Sequence, residues 1–211
     1  MKKDDIYIGD SIRTQTNSKI KLVFKDDSIV SLGPQSLMQV KVFDYTPERE
    51  QRVSTFSVAQ GKARAVVGRL FGSDSKFEIE TPTAVAGVRG TFFMVWVLSP
   101  EITRVFVLEG KVTVRNIKPE VKGEVVVTAG KTTTVQEATT PGAAKKATKE
   151  EIQEGKSETQ VEGEEESGGK GAGEQKDALS KVKEIHKNSI TGQGGHINVQ
   201  GTETTQEFQD I

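Results

Sequence analysis

The residues from Thr81 to Thr91 read Thr-Pro-Thr-Ala-Val-Ala-Gly-Val-Arg-Gly-Thr, which sets Gly87 and Gly90 on either side of Arg89. Glycines beside a cation can cradle a phosphate, because a backbone without Cβ lets N–H groups approach an anion. That chemistry needs a helix opening directly after the loop. Here Phe92 to Leu98 follow, an apolar run that reads as a strand. The segment therefore reads as a corner in a β structure, with Gly87 and Gly90 as its hinges. Arg89 has two readings. Its fork binds backbone carbonyls or a carboxylate within the corner, or it contacts a partner.

The other residues capable of chemistry are scattered. There is no cysteine, so thiolate chemistry and disulfides are excluded. The two histidines, His186 and His196, stand far from any dense carboxylate set, and no metal site is expected from them. The Asp-Asp pairs at 4–5 and 26–27 lack the ligand period of a calcium loop and read as turn residues. No Gly-x-Ser-x-Gly occurs, and no histidine lies before residue 186 to act as a base. Tyr7, Tyr45, or the pair Glu78 and Glu80 could be acid–base groups, but carboxylates at i and i+2 on a strand usually share a solvated face. We expect no enzyme, no cofactor and no metal. A modest basic excess without clustered aromatics argues against nucleic acid as the partner.

The elements that hold these residues are strands. Eight of the nine phenylalanines, the single tryptophan and both tyrosines precede residue 136. A folded domain over 5–137 is expected there, because large apolar side chains are what offset chain entropy. Ile20, Leu22 and Phe24 alternate, as do Met38, Val40 and Val42, and Phe77 and Ile79. Further runs follow from Thr91 to Gln136. Period-2 alternation with β-branched residues predicts an all-β domain. Val-x-x-Gly-Lys recurs at Gly61, Gly110 and Gly130, and Gly90, Gly110 and Gly130 are spaced by 20 while Gly61 is out of step. Repeated glycine corners suggest stacked strand–turn–strand rungs, as in a β-roll, a β-solenoid or a flattened sandwich.

The tail differs. From Gln136 onward there are 9 basic and 15 acidic residues, against 20 and 15 before it. Residues 138–176 are rich in Gly, Glu and Lys, free of aromatics, and expected to be a disordered linker. Residues 177–187 could form a short helix. Residues 196–208 alternate weakly through Ile197 and Val199, and could add as a strand to a sheet edge in this chain or in a neighbour. Met1 to Asp10 hold two lysines and no apolar stretch, so they are not a signal peptide, and no run is long enough for a spanning helix.

Several stretches together resemble the FecR domain, the extracytoplasmic part of FecR-type sigma regulators. The Gly-Asp turn before apolar-Arg-Thr is met by Gly9, Asp10, Ile12, Arg13 and Thr14. The Asp-Asp-Ser turn followed by Leu-Gly-Pro is met by Asp26, Asp27, Ser28, Leu32, Gly33 and Pro34. The central Thr-Pro-x-Ala-x-x-x-Val-Arg-Gly-Thr pattern is met by Thr81, Pro82, Ala84, Val88, Arg89, Gly90 and Thr91, and the Glu-Gly-x-Val turn by Glu109, Gly110 and Val112. The resemblance spans about residues 6 to 137. It implies location in the periplasm or at the cell surface. FecR transducers carry a sigma-binding segment and a membrane helix ahead of this domain; neither is in the sequence, which leads us to expect a detached module.

Two roles follow. The first is a non-enzymatic β-rich binding or assembly module that contacts a protein partner, or copies of itself, through strand edges, with Arg89, Ile197 and Val199 as candidate contacts. The second is a detached regulatory or sensor domain in a FecR-type sigma-factor pathway. A carbohydrate-binding role would need an exposed aromatic platform, and Trp96 lies in an apolar run that reads as core.

Overall fold

A computed structural model describes residues 5–46, 48, 51–68, 75–161 and the backbone of 198–202. The strands are β1 (Ser11–Arg13), β2 (Lys19–Val23), β3 (Ile29–Leu32), β4 (Leu37–Thr46), β5 (Gln51–Val67), β6 (Lys76–Glu80), β7 (Ala84–Val88), β8 (Thr91–Ser99), β9 (Ile102–Glu109), β10 (Lys111–Asn116), β11 (Glu124–Thr128), β12 (Lys131–Gln136) and β13 (Lys145–Lys146). One helix, α1 (Lys149–Thr159), and a last strand, β14 (Asn198–Thr202), follow. The domain is all-β, as its alternation predicts.

The strands form one hydrogen-bonded sheet that curls over at β5. The first half of β5 pairs with β4 and, in parallel, with β6; its second half, from Gly61 on, pairs with β3 and β8. A first layer, β1-β4-β5-β6-β7-β10-β11, thus faces a second, β2-β3-β5-β8-β9-β12-β13. The inner faces carry the core. Phe24 meets Phe56 edge to face at 4.8 Å between ring centroids, and Phe56 meets Phe77 at a tilt at 5.3 Å, so three aromatics run from one layer to the other. Val95, Val105 and Val135 complete it from the second layer. Apolar area withdrawn from water is what holds the layers together.

The glycine echo has a structural meaning. Gly90, Gly110 and Gly130 all have positive φ, at 86°, 79° and 76°. Each is a point where the chain leaves one layer for the other, from β7 to β8, from β9 to β10 and from β11 to β12. Successive bent strands run antiparallel, so the rungs stack as a folded meander in the manner of a flattened sandwich rather than winding as a solenoid. Gly61, φ 86°, also marks a layer crossing, but on the opposite edge, which is why its spacing is out of step.

Two sequence expectations are corrected. Gly87 is no hinge: it lies inside β7, opposite Glu78 and Thr113, without positive φ. The stretch expected to be linker from residue 138 contains β13 and α1. The helix is started by a capping box, in which Thr148 Oγ1 accepts from Glu151 N at 3.1 Å and the Glu151 carboxylate accepts from Thr148 N at 2.9 Å. The predicted helix at 177–187 lies outside the described residues. β14 pairs antiparallel with β2, Val199 opposite Leu22. Ile197 lies outside the described residues.

Candidate protein-interaction surface

The family-pattern residues build the two edges where the layers meet. At one edge the glycine corners lie on one another. Thr91 Oγ1 donates to Lys111 O at 2.9 Å, Ala129 N to Gly110 O at 3.2 Å and Gly130 N to Val107 O at 2.8 Å. Glu109 and Arg89 are exposed there, and Arg89 stands at the corner between β7 and β8.

At the other edge Thr14 is a knot. Its hydroxyl donates to Gly33 O at 2.6 Å and accepts from Ser36 N at 2.8 Å. This fixes the Gly33-Pro34 crossing against Gly61, where an added Cβ would lie 2.6 Å from Ser36 Cα. Gly9 and Asp10 form the turn into β1: the Asp10 carboxylate accepts from Tyr7 N at 2.8 Å, and Gly9 N donates to Val40 O. Arg13, at the end of β1, is exposed. Farther along this edge Thr81, Thr83 and Thr103 form a buried hydroxyl cluster. Thr81 Oγ1 lies 2.9 Å from Thr103 Oγ1, and Thr83 Oγ1 lies 2.8 Å from it and donates to Val135 O. Pro82 is exposed at the tip of that turn. Asn116 Nδ2 adds bonds to Gln136 O and Thr139 O. Thr14, Thr81, Thr83, Thr103 and Asn116 thus tie neighbouring segments together along this edge.

The two carboxylate candidates are ion-paired on the outer face of the first layer. Glu78 is paired with Lys76 at 2.9 Å and lies 4.0 Å from Arg115, and Glu80 with Lys41 at 2.8 Å. Burial raises the Tyr45 phenol above its ordinary value. Asp26 is buried, accepts from Ser28 N at 3.0 Å, and pairs with Arg52 at 3.2 Å, which is a corner fixture. His186 and His196 lie outside the described residues. Among the described residues no three His, Asp or Glu side chains come together as a metal site, and no helix is long and apolar enough to cross a membrane.

The outer face of the second layer is different. Its residues alternate with those of the core, yet Met94, Trp96 and Phe106 there are buried. They form a separate apolar cluster with Ala147, against which Leu108 and Ile152 pack. Trp96 and Phe106 ring centroids are 4.4 Å apart. What covers them is α1. Gly155 lies so close that a Cβ would come within 2.7 Å of Met94 Sδ and of Trp96 Cζ2. Lys62 Nζ sits 4.3 Å from the Trp96 ring and reaches Glu154 at 2.8 Å and Glu158 at 2.7 Å. Arg104 reaches Glu151 at 2.7 Å, and Lys19 Nζ donates to Ser157 O. Burial acts to lower the Lys62 pKa, but the hydrogen bonds and negative charges of Glu154 and Glu158 outweigh it, leaving it above the ordinary lysine value.

Sequence reasoning placed Trp96 in the core and did not foresee this face. The alternation of β8 contains the signal: Phe93, Val95 and Val97 face in, so Met94 and Trp96 must face out and need a cover.

The family model described as FecR protein matches residues 10–113. No curated protein matches the chain. Two crystal structures of a candidate anti-sigma factor from Parabacteroides distasonis ATCC 8503 share the fold. They align with TM-scores of 0.53 and 0.52 at 17% and 18% identity, over 68% of this chain. The chain spans 62% of the length of those proteins.

Proposed function

Residues 10–113 of this chain are a FecR domain, and from that premise we propose that it is a regulatory domain of a sigma-factor signalling pathway, acting outside the cytoplasm by binding a protein partner. The observation that carries this reading is the agreement of two independent comparisons, a FecR match over residues 10–113 and a shared fold with a candidate anti-sigma factor. The chemistry of the surface supports it. The carboxylates Glu78, Glu80 and Asp26 are each ion-paired. Among the described residues, the outward cluster of Met94, Trp96 and Phe106 already holds one piece of polypeptide, α1. Function then resides in differential affinity for a partner rather than in a reacting group.

The edge-to-edge assembly reading has less in its favour, because the similar protein is described as a regulator. In the native host, deletion of the gene should change transcription from promoters of the sigma factor encoded nearest to it, and the intact chain should restore it. Unchanged transcription from every such promoter would refute the regulatory role.

A further inference from the structure

Three strands place one cation, one indole and another cation in a row across the outer face of the second layer. Lys62 on β5 stands directly opposite Trp96 on β8, and Trp96 directly opposite Arg104 on β9. The neighbouring row is Arg64, Met94 and Phe106. A face that alternates positive charge with flat apolar surface recognises an anionic, partly apolar ligand.

The cover on this face fits closely but is weak as a helix by itself. α1 has eleven residues and one large apolar side chain, Ile152, and carries Gly155 in its interior. A helix this short is marginal by itself in water, and an interior glycine weakens it further. Its side-chain charge contacts run through three carboxylates, Glu151, Glu154 and Glu158, at i, i+3 and i+7, which lie along one helix face. Two buried donors beneath it, Trp96 Nε1 and Arg104 Nε, receive no acceptor from α1. A buried unpaired N–H is costly, so a ligand that supplied acceptors there would bind better than α1 does.

We propose that the outer face of β5, β8 and β9 is a docking site for an acidic helix, that α1 occupies it in cis, and that a partner's helix displaces α1 to bind there. The partner helix presents carboxylates at i, i+3 and i+7 toward Lys62 and Arg104, small or apolar residues toward Met94, Trp96 and Phe106, and an acceptor toward the Trp96 indole. This deepens the protein-binding reading above and rests on it only for the existence of a partner. The experiment below contains no sigma factor, so its failure leaves that reading standing.

Trp96 is the single tryptophan, so its emission reports the cover directly. The full chain is compared with E151Q/E154Q/E158Q, which removes the three charges at nearly constant shape. The probe is a peptide of residues 148–161 added in trans. The triple variant should emit farther to the red than wild type. It should bind the peptide about tenfold tighter, because α1 no longer competes, with the emission moving back to the blue. A peptide with all three glutamates replaced by lysine should not bind. Equal peptide affinity in both proteins, or binding of the lysine peptide, overturns the proposal. So does quenching of Trp96 by a single-stranded oligonucleotide in place of the peptide, which would make the face a nucleic-acid site. Hydrogen exchange on the unmodified chain tests it without any variant. α1 amides should exchange at least about tenfold faster than those of β8 and β9, through local opening; equal protection overturns the displaceable cover.

Discussion

Gly110 faces the carbonyl oxygen of Gly90 across the corner edge so closely that a Cβ on Gly110 would lie 2.9 Å from it. Two layer crossings that are 20 residues apart in sequence are thereby packed backbone to backbone, and the spacing of the glycines becomes a contact.

Gly110→Ala meets two penalties, a φ of 79° and a collision with backbone that cannot rotate away. It should cost about 1–3 kcal/mol. Gly130→Ala has a φ of 76° and open space around the new methyl, so it should cost about 1–2 kcal/mol. Urea denaturation of the two variants should rank Gly110→Ala as the less stable.

The threonine cluster is predicted to contribute through satisfied hydroxyls rather than apolar area. Thr103→Val removes the partner of both Thr81 and Thr83 while keeping the volume. Both hydroxyls keep a carbonyl partner, Ala84 O and Val135 O, so the loss is that of ordinary hydrogen bonds, and stability should fall by about 0.5–1.5 kcal/mol. Thermal unfolding monitored by circular dichroism measures it, and no change would remove the clasp from the account.

Asp26 is buried, and its carboxylate serves Arg52 and Ser28 together. Asp26→Ala strands the Arg52 guanidinium and the Ser28 N–H, and should cost about 3–5 kcal/mol. The same substitution together with Arg52→Met should recover part of that loss, which a double-mutant cycle in urea would read.

Lys62 gives a pH prediction. Its pKa is raised above the ordinary 10.5, so the folded state holds the proton more tightly than the unfolded one. The stability it lends to α1 docking is complete below the unfolded value and is lost as pH rises through the folded one. Trp96 emission should therefore stay constant from neutral pH to about pH 10 and shift to the red above that. The step should be absent in Lys62→Met. A shift already present near about pH 8 would contradict the Lys62 assignment.

Much of the β domain was legible in the sequence because each strand obeys a local rule. Ile20, Leu22 and Phe24 alternate and are all buried, and Gly90, Gly110 and Gly130 sit where positive φ is needed. Gly87 was misread because a glycine inside a strand and a glycine at a corner look alike until pairing is known. The threonine clasp was hidden because threonine is an ordinary strand residue, and its bonds join residues as far apart as Thr83 and Val135. α1 was missed for a thermodynamic reason. Its composition is that of a solvated linker, and its helical state depends on Trp96, Lys62 and Arg104, which are remote in sequence. The local trace it leaves is the Thr148-x-x-Glu151 capping box.

If this domain works by holding a different protein, that protein should leave the cell bound to it. The full-length chain, isolated under native conditions from the cells that make it, should be sized by light scattering and its partners identified by mass spectrometry. A defined hetero-complex that contains a sigma regulator or its receptor is expected. A particle built of this chain alone, whether monomer or polymer, would contradict it.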